Sequence, residues 1–145
     1  MTAPACAISL GRTFEGFSAR PYLCPAGYWT VAYGRRCRKD HPAVSREEGE
    51  AYLAEDMTTA ANAAVRICPV LAVQNERILG AVTDFVFNLG AGRFQASTLR
   101  RRIERREWPE AVDELNRWVY GGGRKLPGLV LRRAAEAALI REGVA

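Results

Sequence analysis

Histidine and closely spaced cysteines are scarce in this chain. His41 is the only histidine, and the four cysteines, Cys6, Cys24, Cys37 and Cys68, stand 18, 13 and 31 residues apart. Structural zinc sites use ligands paired a few residues apart, often as Cys-x-x-Cys. No such pair occurs, so we predict neither a metal site nor a cofactor.

Long apolar runs are also missing. The longest uncharged stretch, residues 21–34, is broken by glycine and proline and is shorter than the roughly 18 apolar residues of a membrane-spanning helix. Residues 1–11 have no basic segment ahead of an apolar one and do not read as a secretory signal. We therefore predict no membrane span and no means of self-export. The length of 145 residues, with 48% apolar and 26% charged residues, fits one globular domain.

Acidic residues are fewer than basic residues only in the last third of the chain. Residues 1–92 contain nine basic and nine acidic side chains, whereas residues 93–145 contain twelve and seven, so the net charge is +5. Five arginines lie within 100–106, and such a cationic face favours an anionic partner, either nucleic acid or an acidic envelope polymer. No basic-and-aromatic recognition motif accompanies them. We predict that nucleic acid is not the partner.

Helical periodicity dominates the pattern of apolar residues. A capping box at Ser45–Glu48, followed by apolar residues at helical spacing, predicts a helix over 46–66, about 32 Å long. Further helices are predicted over 8–14, 72–89, 97–106, 109–119 and 128–141. The last is predicted to face inward with Leu131, Ala134, Ala135, Ala138 and Leu139. Glycines 121–123 are predicted to be flexible, and the fold class is α+β, mostly helical with one small sheet.

The small sheet is predicted near the start of the chain. Two runs of β-forming residues flank a short Pro/Gly turn at 25–27, which predicts a β-hairpin. In this hairpin Tyr22 lies opposite Thr30, and Cys24 lies opposite Tyr28. Cys24 and Thr30 then share one face as diagonal neighbours, about 7–8 Å apart between backbones. The two side chains could share one small ligand or a water molecule.

A carboxyl group is predicted in the last turn of the first helix. Gly16 is placed to end that helix, which leaves Glu15 at its carboxyl end. The negative end of the helix dipole disfavours an ionised carboxyl there and so favours a held proton. A held proton is what a general acid requires, although a solvated helix glutamate has the same local signature.

These residues form part of a longer pattern. Glu15, Cys24 and Thr30 match Glu-x8-Asp/Cys-x5-Thr, with Phe-Glu-Gly around the glutamate and Trp-Thr-Val-Ala-Tyr-Gly around the threonine. Further matching segments follow in order at 87–90, 94–99, 117–118 and 126–136. In these motifs the chain resembles, over about residues 8–142, the phage lysozymes called endolysins, the muramidases of glycoside hydrolase family twenty-four.

The resemblance implies a two-lobed, lysozyme-like catalytic domain. A small β-hairpin lobe, about 14–45, and a helical lobe, about 1–13 plus 67–145, would be joined by the helix over about 46–66, with the glycan bound between the lobes. The implied reaction is hydrolysis of the β-1,4 bond between N-acetylmuramic acid and N-acetylglucosamine in bacterial peptidoglycan, with inversion, causing host cell lysis.

Matched by position, Glu15 is implied to be the general acid, and Thr30 to help hold the attacking water. Cys24 occupies the site of the family's usual Asp. A free thiol has a pKa of about 8.5, so Cys24 is expected to orient the water more than to deprotonate it unless cationic neighbours lower that value.

Three further positions, Phe87, Asn88 and Ser97, match positions near the sugar in the family, and Arg35, at a position where relatives vary, is predicted to line the cleft as a fourth substrate-binding residue. Two of them have plain structural alternatives, because Phe87 also suits the core and Ser97 also suits a helix cap. The chain departs from the pattern at Ala32, where relatives often have glycine.

The implied partners are the glycan strands of peptidoglycan and a holin, whose pore would admit a monomeric enzyme from the host cytoplasm to the periplasm and cell wall. In some relatives a disulfide blocks the catalytic cysteine, so a Cys6–Cys24 bond and four free thiols are both open. Two other functions stay open as well: a lytic transglycosylase, which needs no water-activating partner, and a non-catalytic or weakly active wall-binding module.

Overall fold

Seven α-helices and two small antiparallel sheets make up the chain, and the computed structural model describes residues 1–145. The helices are α1 (Ala5–Glu15), α2 (Arg46–Ile67), α3 (Glu76–Leu89), α4 (Ala91–Ala96), α5 (Thr98–Glu104), α6 (Trp108–Leu115) and α7 (Pro127–Val144). The strands are β1 (Ser18–Leu23), β2 (Trp29–Ala32) and β3 (Arg35–Arg36), with a separate pair β4 (Tyr120–Gly121) and β5 (Arg124–Lys125). None of the helices is both long enough and apolar enough to cross a membrane.

Helix α2 has the predicted bounds to within one residue. The Glu48 N–H donates to Ser45 Oγ at 3.0 Å, and the Ser45 N–H donates to Glu48 Oε1 at 3.1 Å, so the capping box is complete. The helix ends just before Pro69, which starts a short 3-10 turn to Val73.

The hydrophobic core is divided into three clusters along α2. The smallest consists of Val31, Ala32 and Val44 beneath the sheet, with Tyr52 of α2 packed against it. A second cluster contains Leu53 and Met57 of α2 together with residues of α1 and Tyr33. The largest, with 18 buried residues, fills the space between α2, α3, α5, α6 and α7. The sheet and the helical part therefore have separate cores connected by α2.

The predicted hairpin register is confirmed. Strand β1 pairs with β2, with Tyr22 opposite Thr30, and the Cys24 N–H donates to the Tyr28 carbonyl at 2.9 Å. A third strand that was not predicted, β3, pairs with β2 and places Arg36 opposite Thr30.

The predicted inward face of α7 is wrong for most of its residues, although Leu139 does pack against the largest core cluster. Leu131 is 64% exposed, and the buried residues of the helix are Arg132, Arg133, Glu136, Ala137 and Ile140. Apolar periodicity misplaced this face because a charged side chain can be buried when it is paired, and these arginines and this glutamate contact carboxyl or amide partners.

Other element bounds differ near turns. Helix α3 begins at Glu76 rather than 72, since the Asn75 side chain accepts a hydrogen bond from the Arg77 N–H at 2.8 Å and caps it there. The glycines predicted to be flexible form the tight turn of the β4–β5 hairpin, with φ of 58° at Gly122 and 77° at Gly123. Helix α4 was not predicted.

Candidate active site

Glu15 is the last residue of α1, and Gly16 ends the helix with a φ of 69°. Its Oε2 accepts a hydrogen bond from Nη1 of Arg132 on α7, and the Glu15 side chain stays 23% exposed. The helix end disfavours a negative charge at this place, whereas the guanidinium stabilises one. The position of Glu15 at the helix end was predicted from the sequence, but its contact with Arg132, 117 residues away, was not.

Gly34 lets the sheet approach this carboxyl group closely. It lies between β2 and β3 with a φ of 79°, and a Cβ placed on it would overlap Glu15 Oε1. Glycine alone tolerates both the backbone conformation and the contact. The turn of the small sheet therefore lies directly against the oxygen of Glu15 that Arg132 does not bind.

Cys24 and Thr30 lie together on one face of the hairpin, as predicted. Thr30 is 5% exposed, and its Oγ1 donates to the Tyr28 carbonyl at 3.1 Å. The Tyr28 backbone, followed by the nearby Thr30 side chain and the backbone of the turn, lowers the pKa of the Cys24 thiol against burial. A neighbouring cation was the predicted cause of a lowered thiol pKa, but hydrogen bonding in the turn lowers it instead.

Tyr22 faces the same site and was not identified from the sequence. It lies directly opposite Thr30 and is 39% exposed. Burial, followed by the negative charges of Glu15 and Cys24, raises the pKa of its phenol. The signal was present in the alternation of the strand, because residues two apart point to the same face and Tyr22 precedes Cys24 by two.

Arg132 is held from behind by a fully buried carboxylate. Its Nε and Nη2 donate to Asp84 on α3 at 2.8 and 2.7 Å. Burial works against its charge, but hydrogen bonds and attraction from Asp84 and Glu15 outweigh burial and raise the pKa of the guanidinium further. The same pairing overcomes the burial of Asp84 and lowers the pKa of that carboxyl. The guanidinium is therefore a fixed positive charge between two carboxylates.

A second buried arginine lies beside the first on α7. Nη2 of Arg133 donates to Asn88 Oδ1 and to Glu136 Oε2, both at 2.8 Å, and its guanidinium carbon lies 5.1 Å from the centre of the Phe85 ring. Arg133 Nε is 2.8 Å from Glu136 Oε1, but the geometry is not that of a hydrogen bond.

Glu136 is a second fully buried carboxyl group in this cluster. Burial, followed by a hydrogen bond to Asp84, raises its pKa well above the usual range despite the attraction of Arg133. Glu136 Oε1 accepts no hydrogen bond. A proton on this oxygen would make it a hydrogen-bond donor instead. A neutral Glu136 leaves Asp84, paired with Arg132, as the one fully buried carboxylate of the cluster.

The predicted binding residues differ in what they contact. Nε and Nη2 of Arg35 donate to Asp56 at 3.2 and 2.9 Å, and Nη2 also donates to Glu55 at 2.8 Å, so its charge is engaged on α2. Phe87 packs against both larger core clusters and also lines a groove of about 300 Å³ between α2 and α3, together with Asp56 and Ala91.

The two remaining predicted binding residues have structural partners. Asn88 follows Phe87 at the end of α3 and accepts the hydrogen bond from Arg133. The Ser97 hydroxyl accepts from the Arg100 N–H at 3.1 Å and donates to the Phe94 carbonyl at 2.6 Å, which is a cap on α5. The helix-cap alternative for Ser97 is therefore what its contacts describe.

All four cysteines are free thiols. Cys6 lies in the first turn of α1 against Gly80 of α3, while Cys24 lies on the hairpin that follows the other end of α1. Burial raises the pKa of Cys68 to about 11, so this thiol is inert. No group of three His, Cys, Asp or Glu side chains converges as metal ligands do.

Comparisons with known proteins relate the chain to phage lysozymes. Residues 12–136 match the family model described as phage lysozyme. The SAR-endolysin of Bacteriophage PS119 is 38% identical over 125 residues, which cover 84% of this chain and 73% of that protein. The solved muramidase domain of SpmX from Asticaccaulis excentricus is 25% identical, with a TM-score of 0.82 over 94% of this chain and 95% of that one.

The fold has a further solved counterpart. A mutant of P22 lysozyme has a TM-score of 0.81 at 23% identity, over 97% of this chain and 99% of that one. This likeness confirms the predicted lysozyme-like fold, and the family model covers most of the chain. The chain belongs to the phage lysozyme family.

Proposed function

We propose that this peptidoglycan-hydrolysing endolysin cleaves the β-1,4 bond between N-acetylmuramic acid and N-acetylglucosamine with inversion, using Glu15, Cys24 and Thr30. The observation that carries the proposal is the contact between the Glu15 carboxyl and Gly34, since it sets an acid beside the hairpin that bears a thiol and a hydroxyl. An inverting glycosidase needs such a pair of groups on opposite faces of the sugar.

Glu15 donates a proton to the leaving oxygen in this mechanism. Arg132 fixes Oε2 of the carboxyl, which leaves Oε1, on the side of the hairpin, to carry the proton to the glycosidic oxygen. Asp84 holds Arg132 in place, so the acid is positioned by a chain of buried charges rather than by its own helix alone.

Cys24 and Thr30 prepare the attacking water. The lowered pKa of Cys24 increases the share of thiolate at neutral pH, and the thiolate can accept a proton from a water on the face of the sugar opposite Glu15. The Thr30 hydroxyl, close to the same sulfur, supplies the second hydrogen bond that orients this water.

The other predicted site residues take two kinds of role in the proposal. Phe87 and Asn88, at the end of α3, contact the glycan from the helical side. Arg35 and Ser97 support the site from behind, Arg35 by tying β3 to α2 and Ser97 by capping α5.

We also propose a division of the enzyme into two lobes and a route by which it reaches the cell wall. A small lobe over about 14–45 and a helical lobe over about 1–13 and 67–145, joined over about 46–66, form one catalytic domain. As a monomer, the enzyme waits in the host cytoplasm and reaches the periplasm through a holin pore. Expression in a Gram-negative host with and without a holin tests this passage, and rapid lysis without the holin contradicts it.

The reaction is tested with the wild type, Glu15→Gln and the control Glu47→Gln, an exposed glutamate in the first turn of α2. Release of reducing ends from purified peptidoglycan should fall about a thousandfold in Glu15→Gln, because the proton donor is lost, and should stay at the wild-type rate in the control. Anhydromuramic ends would identify a transglycosylase instead. A wild type that binds the wall but releases no ends would identify a wall-binding module.

The role of Cys24 is tested by the dependence of the rate on pH. In the wild type the rate should rise with pH as the thiol ionises, and in Cys24→Asp this rise should move to lower pH, since a carboxyl ionises near 4. Cys24→Ser should lose most turnover while keeping the wild-type melting temperature, and Cys37→Ser, at a half-buried thiol of the same sheet region, should not. An unchanged rate in Cys24→Ser would remove Cys24 from the mechanism.

A further inference from the structure

Arg36 lies on the same face of the sheet as the groups that prepare the water. Strand β3 pairs with β2 so that Arg36 is directly opposite Thr30, and Tyr22 is opposite Thr30 on the other side. Side chains of directly paired residues point to one face, with Cβ atoms about 4.5–5.5 Å apart. The three strands therefore set Tyr22, Thr30 and Arg36 in one row across that face.

The guanidinium of Arg36 is fixed by an aromatic ring rather than by a carboxylate. Its central carbon lies 3.7 Å from the centre of the Tyr28 ring, the shortest of the cation–π contacts in the chain. Tyr28 is 46% exposed, and its backbone also donates toward the Cys24 sulfur. A stacked guanidinium keeps its donors in the ring plane free for a planar anion.

Arg36 differs from the neighbouring arginines in having no carboxylate partner. Arg35 is bound by Asp56 and Glu55, and Arg38 lies 3.3 Å from Asp40, whereas Arg36 takes part in none of the ion pairs of the chain. The structure thus holds a preoriented, uncompensated positive charge one strand away from Thr30. Such a group favours an anionic ligand that reaches the site together with the glycan.

Peptidoglycan carries an anionic group on only one of its two sugars. N-acetylmuramic acid bears a lactyl ether whose carboxyl group is either free or extended by a stem peptide with carboxylates of its own, and N-acetylglucosamine bears neither. We propose that Arg36 binds a carboxylate of this substituent, so that the small lobe recognises muramic acid by charge. This inference rests on the proposed function, because it assigns an anionic substrate to that same site.

The test compares peptidoglycan with the same material after its carboxyl groups are coupled to methylamine by carbodiimide, which removes the charge. The wild type should cleave the untreated polymer with a kcat/KM about fivefold higher, the size expected of a partly exposed ion pair. Arg36→Gln should reduce this preference to near one, mainly through KM, and Arg36→Lys should keep part of it. Arg38→Gln is the matched control and should keep the wild-type preference, since its side chain is 87% exposed and engaged by Asp40.

A third substrate distinguishes the two sources of the carboxylate. Glycan chains stripped of stem peptides by an amidase keep the lactyl carboxylate. If Arg36→Gln loses against wild type on these chains, Arg36 binds the lactyl carboxylate of muramic acid that lacks a stem peptide. If it loses only on the polymer with stem peptides, a stem-peptide carboxylate is the ligand. A wild type without preference for the charged polymer, or an Arg36→Gln variant that keeps it, overturns the inference. Failure of the wild type to release reducing ends from any substrate overturns the proposed hydrolysis instead.

Discussion

Replacing Glu136 by Gln should stabilise the protein in a way that grows with pH. Glu136 is fully buried on α7 beside Asp84, and burial raises its pKa well above the usual range. Glutamine resembles the protonated side chain: its amide can donate to Asp84, and its oxygen can accept from Arg133 at the position of Oε2. The variant therefore keeps the contacts of the cluster without needing a proton.

The magnitude follows from the protons bound in the folded and unfolded states. Above about pH 4.5 the unfolded chain releases the Glu136 proton and the folded chain keeps it, so folding takes up one proton. The stability of the wild type then decreases by about 1.4 kcal/mol per pH unit from this group, for as long as the folded chain holds the proton. Wherever the folded chain keeps this proton and the unfolded chain has lost it, the variant should gain about 1.4 kcal/mol over the wild type per pH unit.

Urea unfolding at several pH values measures this difference. Asp84 acts in the opposite sense, because Arg132 and Glu136 lower its pKa against burial. Its contribution is lost only as the pH falls below 3.8, which lies outside the range from pH 5 to pH 7. Glu142→Gln, on the exposed part of the same helix with a side chain 56% exposed, is the control and should show no such trend. A Glu136→Gln difference that stays constant from pH 5 to pH 7 would refute the neutral carboxyl.

Three smaller predictions follow from the backbone and the site. Ala32 has a φ of 55°, a strained conformation for alanine, so Ala32→Gly should raise the free energy of unfolding by about 1 kcal/mol. The control Ala138→Gly, in the interior of α7, should lower it by about 1 kcal/mol. Thermal unfolding measures both changes, and changes of the same sign would contradict backbone strain at Ala32. Gly34→Ala should displace the Glu15 carboxyl and reduce kcat at least tenfold. A folded variant with the wild-type kcat would contradict this close contact. Tyr22→Phe should raise KM about fivefold through one lost hydrogen bond, while Tyr120→Phe, 64% exposed on β4, should not; equal KM values in the two variants would remove the phenol from the site.

The parts of the fold that the sequence predicted are those set by local signals. The capping box at Ser45 fixed the start of α2, and the short turn at 25–27 fixed the register that brings Cys24 and Thr30 to one face. Each signal acts within a few residues, so no knowledge of the rest of the chain was needed. Strand β3 was missed because two residues carry no readable alternation.

The parts that could not be predicted depend on distant partners. Apolar periodicity placed Leu131 inward, but the buried face of α7 consists of Arg132, Arg133 and Glu136, whose burial is possible only because Asp84 and Asn88 on α3 receive them. The contact of Arg132 with the candidate acid was hidden for the same reason. The lowered pKa of the Cys24 thiol came from turn geometry that composition does not reveal.

The most direct test of the account is the anomeric form of the first product. If a water held by Cys24 and Thr30 attacks from the side opposite Glu15, the new reducing end of muramic acid is released as the α anomer before mutarotation. Proton NMR on freshly cleaved glycan should show that anomer growing first. Initial appearance of the β anomer would contradict the single displacement and, with it, the role given to the thiol and the hydroxyl.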